Sequence, residues 1–314
     1  MRRTIRRLLV TGGAGFIGSE FVRQGVRRGY QLVVVDCLSY AGDLKRLRQV
    51  SRDISFKKID ICDRKKLEAL FQAEKFDALV HFAAETHVDR SLKDNLPFIR
   101  TNVLGTQNLI DLSLKYGIKS FVHISTDEVY GQSLKGFFKE SDPLKPRNPY
   151  SVTKTAADLL VQAAIHSFEL PAMIIRPANN YGPWQFPEKL IPVVISKALK
   201  GQKVPVYGKG HQIREWLHVS DCAEGIFLVL EKGKIGDIYN IGSCFERRNI
   251  DTVKTILKCL GKKNDLIQFV PDRPGHDFRY SVDCAKICKL GWRPRVAFED
   301  GIKSTIAWYQ TNYQ

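Results

Sequence analysis

Short apolar runs alternate with longer amphipathic segments through the first half of the chain. Ile5 to Val10, Gln31 to Val35, Ile54 to Ile59, Ala78 to Phe82, Ser120 to Ile124 and Ala172 to Ile175 are brief and rich in β-branched and aromatic residues, and they read as strands. Between them, Gly15 to Arg28, Arg64 to Gln72, Phe98 to Tyr116 and Tyr150 to His166 place apolar residues at helical spacing. Strands that alternate with helices predict an α/β fold of the Rossmann type, a doubly wound parallel sheet whose right-handed crossovers put helices on both faces. Past about residue 178 the rhythm changes. Loops rich in Pro, Gly and Asn appear at Arg176 to Pro183, Lys203 to Gly210 and Pro271 to Asp277, which predicts a smaller C-terminal lobe built from several excursions. The expected division is residues 1–178 for the sheet domain, with a return to it at about 215–240, and residues 179–314 mainly for the lobe. No internal repeat or low-complexity segment is visible.

With 314 residues and 44% hydrophobic content the chain can bury a sizeable core. No run approaches the eighteen or so apolar residues of a membrane span. Arg2, Arg3, Arg6 and Arg7 lead into a strand and a glycine loop rather than the apolar core of a signal peptide, so a cytoplasmic location is expected. Seven cysteines, at 37, 62, 222, 244, 259, 284 and 288, are scattered without Cys-x-x-Cys spacing. Neither a disulfide framework nor a zinc site is suggested, and the thiols are expected to be reduced and mostly buried. The net charge of +16 admits an anionic macromolecule as partner. Its basic residues are spread along the chain rather than gathered with aromatics, so small anionic ligands are the better expectation and no nucleic-acid partner is read.

The glycine loop supplies the first such ligand. Gly12, Gly15 and Gly18 follow the first strand as the chain enters a helix, where glycines let the backbone turn tightly and approach a pyrophosphate at the positive end of the helix dipole. Asp36 closes the second strand, near the roughly twenty-residue spacing at which a carboxylate accepts hydrogen bonds from the adenosine ribose. Its charge disfavours a 2′-phosphate and the following Cys37-Leu38-Ser39 supplies no arginine, so the cofactor read here is NAD rather than NADP. Asp60-Ile61, ending the third strand, offers a carboxylate for the adenine amino group and an apolar side chain for the ring. Phe82-Ala83-Ala84-Glu85-Thr86, ending the fourth, is small enough for a dinucleotide to lie across the strand ends.

Candidate chemistry lies in Ser125-Thr126-Asp127-Glu128-Val129-Tyr130-Gly131 and in Tyr150-x-x-x-Lys154. Tyr150 and Lys154, four apart at a helix start, share one face. A tyrosine with a pKa of about 10 needs a nearby cation to act as a base at neutral pH, and Lys154 with the nicotinamide is expected to lower it. Oxidising an alcohol acidifies the adjacent carbon, and the two carboxylates beside that pair can then act as base and acid. Oxidation coupled to elimination is the expected chemistry.

Through TGGAGFIGS, HFAAETHVDRS, STDEVYG, YSVTK and RPANNYGP the chain resembles the extended short-chain dehydrogenase/reductase family, and within it the dTDP-glucose 4,6-dehydratases. FPEKLIP, VYGKGHQIREWLHVSD, YNIG and DRPGHDFRYSVD are the more discriminating motifs, and the resemblance runs from residue 8 to about residue 293. The resemblance implies that a hexose is oxidised at C4, that Glu128 removes the C5 proton, that Asp127 protonates the C6 hydroxyl as it leaves, and that Thr126 hydrogen-bonds the C4 oxygen and assists Tyr150. It further implies cofactor contacts at Phe16, Ile17, Ser39, Phe82, Ala83, Ala84, Thr86, Thr101 and Asn180 besides Tyr150 and Lys154. For a nucleotide-diphosphate hexose it implies Thr86, Thr126 and Asn179 near the sugar and diphosphate, Lys189-Leu190 and Val206-Tyr207 around the base, Arg214 and Asn249 on phosphate, and Arg273 with His276 closing the pocket. The seven histidines show no metal-ligand spacing, and no metal is expected. A homodimer is implied through the helices near 98–116 and 150–166. A UDP-linked glucose or N-acetylglucosamine remains open, since thymine and uracil differ by one methyl group, worth about 1 to 3 kcal/mol. An epimerase or decarboxylase on the same scaffold, and a nucleotide-sensing protein without catalysis, are the other readings.

Overall fold

The computed structural model describes residues 5–272 and 275–312. The six apolar runs form its first six strands: β1 (Arg7–Thr11), β2 (Gln31–Asp36), β3 (Ile54–Lys58), β4 (Ala78–His81), β5 (Ser120–Ile124) and β6 (Ala172–Pro177). The chain continues with β7 (Asn179–Tyr181), β8 (Val204–Tyr207), β9 (Ile213–His218), β10 (Ile238–Ile241), β11 (Glu246–Arg248) and β12 (Ile267–Val270). Seven strands make one parallel sheet in the order β3-β2-β1-β4-β5-β6-β10. The central strands read as unbroken apolar runs because both faces are covered. Alternate residues enter two cores: Leu8, Val10, Val80, Val122 and Ile175 on one face, and Leu9, Leu79, Phe121 and Ile174 on the other.

The strand order turns back between β1 and β4, the position where an open parallel sheet leaves a crevice for a ligand. β10 returns to the sheet beside β6, and the helix Val219–Lys232 before it packs on the helix Phe16–Arg27, stacking Phe227 on Phe21 with ring centroids 3.9 Å apart. A separate core around Tyr181, Ile195, Val206, Val253 and Ile306 serves the small sheet β11-β9-β7, the pair β12-β8 and the helices Leu190–Leu199, Asn249–Cys259 and Phe298–Asn312. Among the described residues no helix is long and apolar enough to cross a membrane.

Two readings need correction. The segment expected as one helix from Phe98 to Tyr116 is Leu96–Phe98, a π-helical stretch Ile99–Gly105, and the helix Thr106–Lys115. Within the π stretch the Asn102 side chain accepts from Glu85 N (2.9 Å) and donates to Glu85 O (3.0 Å) and Thr153 Oγ1 (2.9 Å), so it ties the end of β4 to the helix Pro149–Phe168. The cysteines are not mostly buried: Cys37, Cys244 and Cys259 are exposed, Cys62 and Cys288 are half-buried, and Cys222 and Cys284 are buried.

Beneath the strand ends lies a buried polar network. Arg176 on β6, 1% exposed, donates through Nε to Asp158 Oδ2 (2.8 Å) and through Nη1 to the Tyr130 hydroxyl (2.7 Å), which donates to Asn240 Oδ1 (2.8 Å) on β10. His123 Nε2 lies 3.4 Å from Asp158 Oδ1. Burial alone would raise the Asp158 carboxyl, but the His123 hydrogen bond and the Arg176 charge hold it below its ordinary range. Arg176→Met would leave that carboxylate without its cation, and removing one partner of a buried pair costs about 3–5 kcal/mol. A melting temperature lower by about 6 °C or more is expected in thermal unfolding, and a shift under about 2 °C would deny the network this weight.

Candidate active site

The helix Phe16–Arg27 starts at Gly15, whose extended backbone caps it without a side chain. Gly12 has φ 71, and a Cβ there would lie 2.4 Å from Ala83 N, so the glycine loop crosses directly over the end of β4. A Cβ on Gly18 would meet Gly12 O at 2.2 Å, which lets the first helical turn press against the loop. Asp36 accepts from Ala14 N (3.0 Å) and Leu38 N (2.8 Å); burial raises its carboxyl and these two amides oppose the shift. Each oxygen keeps a further lone pair.

One cleft runs from this loop across the strand ends. Its wall contains Gly12, Gly15, Phe16, Ile17, Gly18, Phe82, Ala84 and Thr86, then Thr126, Asp127, Glu128, Tyr150 and Lys154, then Asn179, Asn180 and Lys189. The cofactor loop and the candidate catalytic groups therefore share one space. Other expected cofactor residues lie outside that wall. Asp60 accepts from Cys62 N (2.8 Å), Ser39 is exposed beyond Asp36, Thr101 sits in the π stretch, and Ala83 runs under Gly12. Ile61 is 3% exposed; a Cβ on Gly105 would fall 2.5 Å from its Cδ1, so its side chain packs on the helix rather than toward the cleft.

Asp127 and Glu128 open the 3₁₀ turn Asp127–Tyr130, which Thr126 caps by accepting from Glu128 N at 3.3 Å. Neighbours on such a turn diverge by about 120°, so two adjacent carboxylates receive different surroundings. Asp127 is 2% exposed and its Oδ2 has no hydrogen-bond partner among the described residues. Burial pushes its carboxyl well above the ordinary value, with the Glu128 and Glu215 charges adding to the shift and Arg214 opposing it. Glu128 is half-buried, and its Oε2 accepts from Asn148 Nδ2 at 3.1 Å and lies 3.5 Å from the Tyr280 hydroxyl.

Tyr150 and Lys154 stand on the helix Pro149–Phe168, started by an Asn148 capping box in which the Asn148 side chain accepts from Ser151 N at 2.9 Å. The Tyr150 ring packs with Val88 and Phe98. Lys154 Nζ donates to Ile124 O at 2.7 Å, and burial lowers its ammonium to about 8, with Asp158 opposing. The lowered phenol expected of the Tyr-Lys pair is not what the chain alone produces. Burial first and the Glu128 charge next drive the Tyr150 phenol upward, the Thr126 hydroxyl opposes them, and Lys154 is occupied on a carbonyl.

Farther from the glycine loop, the side-chain oxygens of Asn179 and Asn180 have no hydrogen-bond partner among the described residues, and Lys189 Nζ donates to Thr86 O at 3.0 Å. Leu190 begins the following helix. Tyr207, Arg214 and His276 cluster: Arg214 Nη2 lies 3.0 Å from His276 Nε2, and the Tyr207 and His276 rings are 6.1 Å apart. Asn249 is tied to Gln212 O through its backbone N–H (2.8 Å), and its side-chain oxygen has no hydrogen-bond partner among the described residues. Val206 is 1% exposed within the lobe core while Tyr207 is 41% exposed, because successive strand residues face opposite ways. Of that pair Tyr207 alone faces outward, where its hydroxyl donates to Asp89 Oδ2 at 3.3 Å. Arg273 lies outside the described residues.

Several wall residues carried no sequence signal that singled them out. Arg46, 5% exposed, donates through Nη1 to Ala14 O (2.9 Å) and through Nε to Trp184 O (3.1 Å), bracing the glycine loop against the lobe. Gln185, Phe186 and Glu188 line the cleft from a loop without regular pattern. Asn148 was findable, since Asn before Pro at a helix start is a cap signal.

A sequence profile of the GDP-mannose 4,6 dehydratase family matches residues 9–305. The chain is 48% identical to a dTDP-glucose 4,6-dehydratase of Streptomyces niveus, over 98% of this chain and 93% of that protein. The crystal structure of a dTDP-glucose 4,6-dehydratase from Streptomyces venezuelae, solved with NAD bound, superposes with a TM-score of 0.95 at 44% identity, covering 98% of this chain and 97% of that one. A UDP-glucose 4-epimerase of Thermotoga maritima shares the fold at 29% identity and a TM-score of 0.93, covering 98% of this chain and 100% of that one. Match, coverage and fold agree, and the chain belongs to the GDP-mannose 4,6 dehydratase family of extended short-chain dehydrogenases/reductases.

Proposed function

We propose that this chain is an NAD-dependent 4,6-dehydratase that converts dTDP-glucose to dTDP-4-keto-6-deoxyglucose. The observation that carries the reading is the Asp127-Glu128 pair in one cleft with Thr126, Tyr150 and Lys154, because the two carboxylates stand in unlike surroundings beside a hydride-transfer pair. Relatives that carry the name dTDP-glucose 4,6-dehydratase over nearly the whole chain support the nucleotide and the sugar.

The residues fit NAD. Glycines hold the loop where a Cβ would collide, Asp36 beside that loop keeps lone pairs a ribose could use, and the nearby Arg46 gives its Nε and Nη1 to carbonyls rather than to a 2′-phosphate. Held by the glycine loop and Asp36, NAD would supply the hydride acceptor for sugar C4 and the donor for C6. Tyr150 takes the C4 hydroxyl proton while Thr126 hydrogen-bonds that oxygen. Glu128, positioned by Asn148, removes the C5 proton made acidic by the C4 ketone and returns a proton to C5 once hydride has added at C6. Asp127, whose carboxyl burial pushes well upward toward the protonated form, gives its proton to the C6 oxygen, which departs as water. Tyr207, Arg214, Asn249 and His276 receive the nucleotide diphosphate, with Asn179 and Lys189 nearer the sugar. Incubation with dTDP-glucose, UDP-glucose and UDP-N-acetylglucosamine tests the reading: a 4-keto product that absorbs in alkali is expected from dTDP-glucose. A C4 epimer or a pentose product would overturn it.

Lys154 gives the reaction a pH dependence. Its role needs the ammonium, which burial holds to about 8 against an ordinary 10.5, so kcat is expected to fall as the pH rises through about 8. Stability moves the other way. Between 8 and 10.5 the unfolded chain binds a proton that the folded chain does not, so folding gains stability as the pH rises across that window and loses it as the pH falls back. A kcat still rising between pH 8 and 10 would exclude this role for Lys154.

We further propose a homodimer through the outer faces of the two helices that flank the catalytic pair, where Leu96, Ile99, Leu104, Val152 and Leu159 are exposed. Gel filtration at twice the chain mass is the expected result. Seven unpaired cysteines favour a reducing, cytoplasmic setting.

A further inference from the structure

Glu215 on β9 has no exposed surface, and among the described residues no basic side chain pairs with it. Its partners are backbone amides: Cys244 N donates to Oε1 at 2.7 Å and Val282 N to Oε2 at 3.2 Å. Buried carboxylates are ordinarily paired with a cation or coordinate a metal. Two thiols complete the surroundings. Cys244 sits in the turn between β10 and β11, Cys284 just ahead of the helix Ala285–Lys289, and a ligand atom from each of the three residues lies within 4.8 Å of the other two. Cys284 is 3% exposed; its sulfur donates toward the carbonyls of Gly242 (3.6 Å) and Val282 (3.9 Å) and stands within hydrogen-bonding reach of the Cys244 thiol, whereas Cys244 is exposed and opens the cluster to solvent. Cys244 also holds φ 57, a region that a residue with a Cβ rarely adopts, and this turn brings its amide to the same carboxylate.

We propose that Glu215, Cys244 and Cys284 form a site for one thiophilic divalent cation of the zinc class. Two thiolates and one carboxylate are a ligand set that such ions take, with water from the Cys244 side as the fourth ligand. Tetrahedral zinc, with Zn–S of about 2.3 Å and Zn–O of about 2.0–2.2 Å, needs donors roughly 3.5–3.8 Å apart, and three atoms already within 4.8 Å of one another reach that spacing with small side-chain shifts. Two S–H bonds break and two metal–sulfur bonds form; the thiol protons leave to solvent, and no oxidant or reductant takes part. None of the three lines the catalytic cleft, so the ion is structural. It would fasten the turn leading into Arg247, Arg248 and Asn249 to the segment before the helix Ala285–Lys289. The sequence hid the site because its ligands come from three separate elements rather than from one short spacing.

The test uses the full chain, kept reduced, stripped with a chelator, and titrated with Co²⁺ as the probe. Saturation at one equivalent with a thiolate-to-cobalt charge-transfer band, release of about two protons per ion, and displacement by Zn²⁺ are expected. Cys244→Ser, at an exposed position, should remove the band and weaken binding by at least about 100-fold, since even the loss of a residue behind a ligand costs 10–100-fold. Cys259→Ser, exposed and outside the cluster, should leave both unchanged. Absence of the band in the parent chain, or equal affinity in Cys244→Ser, would overturn the proposal. So would a Cys244–Cys284 disulfide found by mass spectrometry under the same reducing conditions.

Discussion

Tyr150→Phe is expected to lower kcat by about 10²–10⁴-fold, the range of a lost general base, which is roughly 3–5 kcal/mol of barrier. The fold should be almost untouched. The ring that packs with Val88 and Phe98 is kept, and only a hydroxyl beside Thr126 is removed. The reason for so large an effect is that the neighbouring groups are engaged elsewhere, Glu128 being assigned to the C5 proton. The Lys154 ammonium, which gives one of its three donors to Ile124 O, has no lone pair to take a proton, and burial biases Asp127 toward an acid rather than a base. Burial and the Glu128 charge push the Tyr150 phenol upward, so the chain by itself opposes the phenolate, and the positive nicotinamide must supply the opposing charge. Tyrosine activation is thereby coupled to cofactor binding. Steady-state rates with dTDP-glucose, alongside melting temperatures, check this; a variant within threefold of the parent would remove Tyr150 from the chemistry.

What the sequence made legible follows from how locally each feature is determined. Strands covered on both faces show as apolar runs, so β1 to β6 stand out within a residue or two. Glycines 12, 15 and 18 are fixed by steric demand between adjacent segments, and Asp36 by its distance from them. The π stretch Ile99–Gly105 was not legible. Its cause is tertiary, the Asn102 side chain spanning Glu85 and Thr153, while its apolar pattern differs little from that of a plain helix. Val206 and Tyr207 look like a pair in the sequence, but the pairing of β8 with β12 sends one inward and the other outward. Arg46 sits in a basic stretch where nothing marks it, yet it alone among those neighbours reaches both the glycine loop and Trp184. The unlike surroundings of Asp127 and Glu128 depend on Asn148, Glu215, Arg214 and Tyr280, contributed by distant parts of the chain.

Those surroundings govern the second large effect. Asp127→Asn is expected to lower overall dehydration by about 10²–10⁴-fold while C4 oxidation continues, so that turnover stalls with the cofactor reduced and visible by its near-ultraviolet absorbance. An amide fills the same volume and accepts from Thr126 much as the acid does, its NH2 taking the unpartnered place of Oδ2, so stability should hold. What it cannot do is give a proton to the C6 oxygen. Glu128→Gln should behave differently, because the loss falls one step earlier: solvent deuterium would no longer enter C5, whereas in Asp127→Asn that exchange persists. Following reduced cofactor, C5 exchange and keto product together separates the two carboxylates. Equal loss of exchange in both variants would mean that the buried acid and its half-buried neighbour work as one unit, and the division of labour drawn from their burial would fail.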